Sequence, residues 1–229
     1  MPTRDSNTTN GMLLRDVRFS YGTDFALHIG ELRLEAGEQA ILCGRSGSGK
    51  STLLNLIAGI DAAASGSILI GGEDILAARG HARDLLRGRR IGMIFQTFNL
   101  LHGFTALENV MVPLMLLAVP AHEMRHRAHD ALSRLGIDRN DALVDALSVG
   151  QQQRVAVARA VVTTPTLVLA DEPTASLDPE NAETAVRLIR AACSACGAAL
   201  LMTSHAPALR SQFERAIDIC DFVATEVAR

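Results

Sequence analysis

The sequence predicts an α/β fold in which helices cover both faces of a parallel sheet and a small antiparallel β subdomain comes first. Strand-like runs at residues 166–170 and 198–203 are almost continuously apolar, which is typical of strands buried on both faces. Residues 12–36 instead alternate apolar and polar side chains, which is typical of antiparallel strands with one solvated face. Residues 97–150 show helical periodicity and no convincing buried strand. We therefore expect an α/β core interrupted by a helical subdomain.

The composition describes a globular chain of 229 residues with a net charge of −3 and a hydrophobic content of 48%. This length suits one domain, which we expect to span residues 12–229 after a flexible arm at residues 1–11. The longest apolar stretch, residues 110–121, contains two prolines and is too short to cross a bilayer. The four cysteines suit a reducing compartment. The negative charge does not favour nucleic acid as a partner. We expect a cytoplasmic protein.

A glycine-rich motif predicts a site for a nucleoside triphosphate. Its sequence is Gly44-Arg45-Ser46-Gly47-Ser48-Gly49-Lys50-Ser51, followed by Thr52. A strand-like run precedes the motif and a helix-like run follows it, the setting in which backbone N–H groups cradle phosphates. Lys50, the single lysine of the chain, is expected to reach the β- and γ-phosphates, and the Ser51 hydroxyl to hold Mg²⁺. The motif predicts a P-loop NTPase core of the RecA-like kind, with residues 44–52 at the phosphates.

Two carboxylates, Asp171 and Glu172, follow the apolar run at residues 166–170. In a parallel sheet the carboxyl ends of the strands face the ligand crevice, so both acids are expected to point towards the nucleotide. Asp171 suits a magnesium contact, and Glu172 suits the polarisation of an attacking water. An acidic pair after a strand also occurs as an ordinary helix N-cap, so this assignment depends on the motifs that surround it.

The segment Leu147-Ser148-Val149-Gly150-Gln151 resembles the signature of ABC transporter ATP-binding subunits, which usually reads Leu-Ser-Gly-Gly-Gln. Here Val149 replaces the first glycine. The resemblance extends over roughly residues 12–222 and implies that Ser148, Gly150 and Gln151 contact ATP held by a second copy of the chain. Two ATP molecules would then lie between two head-to-tail chains. A hydroxyl and N–H groups at the start of a helix are also suited to binding an anion.

Four further positions match that family in order. Tyr21 resembles the aromatic residue that stacks on adenine, and Gln96 resembles the residue that senses Mg²⁺ and the attacking water. Asp178 lies in a segment similar to the family's D-loop, which adjoins the nucleotide. His205 resembles the switch histidine at the γ-phosphate, although Ala206 follows it where an aspartate is common. The resemblance thus implies ATP and Mg²⁺ as ligands, a catalytic set of Glu172, His205 and Gln96, and a metal set of Ser51, Gln96 and Asp171.

Residues 95–101 and 105–110 resemble the lipoprotein-releasing, macrolide-exporting and cell-division branch of the family, although Ala175 stands where that branch often has glycine. This resemblance implies an integral membrane permease as a partner and a peripheral position on the cytoplasmic face of the inner membrane. Residues 98–104 and 111–117 are the expected permease dock. A soluble ATPase for assembly, such as that of an iron–sulfur scaffold, is the alternative.

The segment His122-Glu123-Met124-Arg125-His126 formally matches a zinc-protease pattern. On a helix, however, its histidines lie on a different face from the apolar stripe that includes Met124 and Leu132. We therefore expect a solvated helix face here and no zinc chemistry.

Overall fold

The computed structural model describes residues 11–22, 25–175 and 177–223, so the expected arm lies outside the described residues except for Gly11. The helices are α1 Lys50–Ile57, α2 His81–Arg90, α3 Ala106–Leu116, α4 Ala121–Arg134, α5 Val149–Val161 and α6 Pro179–Cys196. The strands are β1 Met12–Tyr21, β2 Phe25–Leu34, β3 Gln39–Cys43, β4 Ser65–Ile70, β5 Glu73–Asp74, β6 Ile91–Ile94, β7 Leu167–Ala170, β8 Ala199–Ser204 and β9 Arg215–Asp218. In this part of the chain, no helix is long and apolar enough to cross a membrane.

The predicted antiparallel subdomain is a four-stranded sheet with the strand order β2-β1-β4-β5. Strand β1 pairs with β2 from Met12 opposite Leu34 to Tyr21 opposite Phe25. The buried residues of β1 are largely those that point to one face of the pleat, including Leu14 and Val17, and they pack into the core. The alternation seen in the sequence therefore reflects one buried face and one solvated face.

The predicted parallel sheet has five strands in the order β6-β7-β8-β3-β9. Its central strands are mostly apolar because successive side chains enter two different cores. Val168 and Leu200 pack on the side of the helical subdomain, whereas Leu169 and Leu201 pack against α1 and the antiparallel sheet. The fifth strand, β9, was not predicted because it is a short edge strand that begins and ends with charged residues.

The helical subdomain contains α3 and α4, which pack on each other and on α5. Helix α3 begins with a capping box in which Thr105 and Glu108 each bond the other's backbone N–H, so the helix start is fixed locally. Helix α4 buries Ala128 and Leu132, and His122, His126 and His129 lie on its exposed side, as expected. Helix α2 begins directly after Gly80, whose φ is +50°.

Candidate nucleotide site

The glycine-rich loop connects β3 to α1, and the helix begins where the loop ends. Gly47 and Gly49 have φ angles of +74° and +98°, a region in which residues with a Cβ are strained. A Cβ on Gly49 would also lie 2.4 Å from the ring of Phe25. No side chain caps α1 and its first turn carries no acidic residue, so its first N–H groups and its dipole remain available to an anion. This arrangement suits a phosphate.

Lys50 is held beneath this loop with only 4% of its surface exposed. Its Nζ donates hydrogen bonds to the carbonyl oxygens of Gly44 at 3.1 Å and Arg45 at 3.0 Å. The same atom lies 3.0 Å from Oε1 of Glu172. A buried ammonium is costly unless it is paired and hydrogen-bonded, and here all its partners are supplied by the loop and by Glu172.

The hydroxyl of Ser48 supports the same interpretation of the loop. Its Oγ is buried and has no hydrogen-bond partner among the described residues. Buried polar atoms in native proteins nearly always have a partner, so an orphaned hydroxyl in a glycine-rich loop fits a phosphate oxygen. Arg45, Ser46 and Ser51 are exposed at the same loop and are accessible to a ligand. The residues present therefore fit a triphosphate with its cation.

Asp171 and Glu172 lie at the carboxyl end of β7, as predicted, and Thr203 of β8 holds both. The Thr203 hydroxyl donates to Oδ1 of Asp171 at 2.8 Å and accepts the backbone N–H of Glu172 at 2.8 Å. Glu172 adopts a φ of +43°, which is uncommon for a residue with a side chain. The other carboxylate oxygen of Asp171 has no hydrogen-bond partner in the described ranges, so it is free to bind a cation. Thr203 was not predicted as a site residue, because in the sequence it is only a polar residue at the end of an apolar run, two positions before His205.

The carboxylate of Glu172 lies between two basic groups. Its Oε1 faces Lys50, and its Oε2 is 3.0 Å from Nδ1 of His205. Burial raises the pKa of Glu172, but the hydrogen bonds and charges of Lys50 and His205 outweigh burial and bring it below its ordinary value of 4.5. Glu172 is therefore ionised at neutral pH, the state that a general base requires.

Gln96 lies two residues after Ile94, the last residue of β6. Asp171 donates its backbone N–H to the Ile94 carbonyl at 2.8 Å, so Gln96 and Asp171 follow neighbouring strands at one edge of the sheet. The Gln96 side chain is exposed, and no hydrogen bond from it is present in the part of the chain that the structure describes. Its position is therefore set by its backbone.

Tyr21 lies at the end of β1 with 56% of its surface exposed. Its ring packs edge-to-face on Phe19 with the centroids 4.8 Å apart, and it pairs across the sheet with Phe25, whose ring borders Gly49. Tyr21 therefore lies beside the glycine-rich loop with a free ring face. Phe25 was not singled out in the sequence, where it reads as an ordinary strand residue.

The signature residues form a second, separate feature at the start of α5. Ser148 is its N-cap: its Oγ accepts the N–H of Gln151 at 3.3 Å, and Oε1 of Gln151 accepts the N–H of Ser148 at 3.0 Å. Gly150 is exposed beside them. Within the described residues, no hydrogen bond or ion pair connects Ser148, Gly150 or Gln151 to Lys50 or Glu172. One chain thus keeps the signature apart from its own glycine-rich loop.

Asp178 is likewise apart from the loop. It caps α6, where Oδ1 accepts the backbone N–H of Asn181 at 3.0 Å and Oδ2 accepts the side-chain amide at 2.6 Å. Its neighbour Leu177 lines both the cavity next to Glu172 and His205 and the cavity next to Gly150. Asp178 therefore follows directly after a residue that borders both cavities.

Comparisons with known proteins agree with this geometry. A family model described as ABC transporter matches residues 27–175. The lipoprotein-releasing system ATP-binding protein LolD of Pseudomonas syringae pv. tomato is 42% identical over 186 residues, covering 81% of this chain and 82% of that protein. The methionine import ATP-binding protein MetN of Rhizobium johnstonii is 42% identical over 193 residues, covering 84% of this chain and 53% of that protein.

Among solved structures, the dimeric ATP-binding cassette MJ0796 bound to ADP and Pi is similar with a TM-score of 0.76 and 32% identity, covering 90% of this chain and 93% of that chain. CbiO1 of Clostridium perfringens, part of an ABC transporter complex, has a TM-score of 0.75 at 28% identity, covering 86% of this chain and 79% of that chain. The predicted fold is confirmed by these neighbours. The chain belongs to the ABC transporter family as an ATP-binding subunit, and it is an ATPase.

Proposed function

We propose that this chain is a Mg-ATP-hydrolysing motor subunit that dimerises head-to-tail around two ATP molecules and drives a separate membrane permease. The observation that carries this proposal is the Glu172 carboxylate, held between Lys50 and His205 beside the glycine-rich loop. Residues 12–229 would act as one ATPase domain with a helical subdomain at residues 97–150.

The roles of the side chains follow from their positions. Residues 44–52 would bind the phosphates, and Lys50 would exchange its contact with Glu172 for phosphate oxygens. Ser51, Gln96 and Asp171 would hold Mg²⁺, which neutralises charge on the phosphates when it is bound. Glu172 would accept a proton from the attacking water, with His205 fixing the carboxylate through Oε2. The exposed Tyr21 ring would stack on adenine.

The head-to-tail dimer explains why the signature is exposed and apart from the loop of its own chain. The Ser148 hydroxyl and the first N–H groups of α5 that the capping box does not use would form an anion site for a second chain. A second chain would bring the γ-phosphate of its bound ATP to this site. Gly150 and Gln151 would lie beside the phosphate, and Asp178 would lie near the interface between the two chains. The dimer of MJ0796 with ADP and Pi supports this arrangement.

A charge substitution that preserves the helix cap tests the dimer. In a Glu172→Gln background, Ser148→Asp keeps a good N-cap for α5 but places a negative charge where the partner's γ-phosphate would bind. We expect ATP to produce a dimer of Glu172→Gln but not of the Ser148→Asp double variant, measured by size-exclusion chromatography with light scattering. Ser148→Asn, a neutral N-cap, is the matched control. Dimerisation of the Ser148→Asp variant at unchanged ATP concentration would contradict the proposed interface.

The permease would dock on a groove of about 460 Å³ in the helical subdomain. Phe104, Met115 and Leu116, which line it, are 47%, 59% and 70% exposed. An exposed apolar patch with charged residues at its rim marks an interaction site, and Arg125 supplies such a rim here. The expected dock is corrected at three points: Phe98, Leu100 and Leu114 are 7%, 9% and 0% exposed and belong to the core of the subdomain.

With a permease bound at this groove, the chain would lie on the cytoplasmic face of the inner membrane, beneath the permease. The similarity to the lipoprotein-releasing protein supports an export or mechanical-coupling role, because that relative matches over 82% of its length, compared with 53% for the methionine importer. Met115→Glu should abolish co-purification with the permease while leaving ATPase activity of the isolated subunit unchanged. Ile60→Glu, at a comparably exposed apolar residue outside the groove, is the control. Equal permease recovery for both variants would disprove the dock.

A further inference from the structure

We propose that Arg159 is a positioning residue for Gln96, which it holds in place through hydrogen bonds to the backbone of the turn at residues 95–99. This inference rests on the proposed function, since it requires Gln96 to take part in ATP hydrolysis. Arg159 lies in the last turn of α5, the helix that begins at the signature.

The contact is a two-pronged one between a guanidinium and two consecutive carbonyl groups. Nη1 of Arg159 donates to the carbonyl oxygen of Asn99 at 2.6 Å, and Nη2 donates to that of Phe98 at 2.5 Å. The planar fork of arginine suits two adjacent acceptors, which the single ammonium of a lysine cannot match. Both prongs end on the backbone, so Arg159 fixes the path of the chain and not a particular side chain.

The turn that Arg159 contacts has a strained backbone, which the hydrogen bonds from Arg159 stabilise. Phe98 and Asn99 have φ angles of +59° and +48°, a left-handed region that asparagine adopts readily but that is strained for a bulky residue such as phenylalanine. The turn is tight, since Phe98 donates its N–H to the Phe95 carbonyl and Asn99 donates to that of Thr97. A left-handed pair of this kind persists only when its surroundings impose it.

Gln96 lies inside this turn, two residues before Phe98. Its side chain has no hydrogen-bond partner among the described residues, so the backbone of the turn is the described feature that sets where the side chain begins and in which direction it leaves the chain. Loss of the Arg159 contacts would let the left-handed pair relax, and Gln96 would move with it. The anchoring side chain of Phe98, which is 7% exposed, would limit this movement but not prevent it.

The chemistry of Arg159 also favours a specific role. Burial lowers the pKa of Arg159, and in the described parts of the chain no carboxylate pairs with it. A partly buried cation without a counter-ion is costly, so its hydrogen bonds to the two carbonyls must offset that cost. Arg154, also on α5, differs: its Nη1 donates to the Leu135 carbonyl at 2.9 Å, away from the turn.

A double-mutant cycle separates positioning from general stabilisation. We expect Arg159→Gln to lower kcat for ATP about 10- to 100-fold, since a displacement of about 1 Å at a catalytic group has an effect of that size. The KM for ATP should change much less, because the glycine-rich loop is untouched. In a Gln96→Ala background the same substitution should change kcat less than about twofold, because the group that it positions is gone. Arg154→Gln is the matched control, with kcat close to that of the unmodified protein.

Three results would overturn the inference. An equal fall in kcat in both backgrounds would show that Arg159 acts independently of Gln96. Unimpaired kcat in Arg159→Lys would show that the paired hydrogen bonds of the guanidinium are not needed. If thermal melting shows that Arg159→Gln is not folded, this milder variant decides the case. Unimpaired kcat in Gln96→Ala would remove the proposed role of Gln96, and the inference with it. If instead Gln96→Ala lowers kcat and its effect is additive with that of Arg159→Gln, the role of Gln96 stands and only the inference about Arg159 is removed.

Discussion

Replacing Lys50 by methionine tests the nucleotide site at its most buried charge. Methionine keeps an unbranched stem of similar length but removes the ammonium, which now contacts Gly44, Arg45 and Glu172. A hydrogen bond to a charged group contributes about 1.5–3 kcal/mol, so loss of the phosphate contact alone should weaken ATP binding about 10- to 150-fold. The Glu172 carboxylate, left without its cation, would repel the γ-phosphate and place the effect at the upper end of that range.

Isothermal titration with a non-hydrolysable Mg-ATP analogue measures this change directly. Glu172→Gln is the informative companion variant, because it removes the competing partner of Lys50 and leaves the ammonium for phosphate; its affinity should equal or exceed that of the unmodified protein. Thermal melting confirms that both variants are folded. Unchanged affinity in a folded Lys50→Met protein would refute the assignment of Lys50 to the phosphates.

The remaining predictions concern the acidic end of β7. Glu172→Gln should lower the ATPase rate about 10²- to 10⁴-fold in a coupled phosphate-release assay, the range of general-base catalysis, and normal turnover would remove Glu172 from the chemistry. Thr203→Val should lower the free energy of unfolding by about 1–3 kcal/mol in urea unfolding, because the Glu172 N–H and Asp171 lose their buried partner. Thr184→Val, a control at an exposed site, should leave the free energy of unfolding unchanged. Because the pKa of Glu172 is lowered in the folded protein, its ionised form stabilises the fold at pH values above 4.5, and this stabilisation is lost as the pH falls through the lowered pKa. Glu172→Gln should therefore make the free energy of unfolding less dependent on pH in the acid range. An unchanged pH dependence would contradict the pairing of Glu172 with Lys50 and His205.

Motifs with a fixed local geometry could be read from the sequence. The glycine-rich loop needs positive φ angles at Gly47 and Gly49 and one buried ammonium, and each of these requirements appears directly in the residue types. The parallel strands were predictable because side chains buried on both faces must be apolar. The exposed face of α4 followed from its helical periodicity.

Contacts between distant segments could not be read in this way. Thr203 looks like a lone polar residue in a strand, and only the pairing of β7 with β8 brings its hydroxyl to Asp171 and Glu172. Arg159 reads as one more charge on a helix until the turn after β6 is folded against it. The edge strand β9 was missed because its charged ends give neither an apolar run nor an alternation.

The central claim is that this ATPase drives a membrane permease, and a capture experiment tests it most directly. Tagged Glu172→Gln protein, expressed in its native host, would be recovered with ATP from detergent-solubilised membranes, and its partners identified by mass spectrometry. The account predicts a polytopic membrane protein in stoichiometric amount, lost when Met115→Glu is added to the same protein. Recovery of soluble partners alone, with the ATP-dependent dimer intact, would contradict it and favour an assembly ATPase.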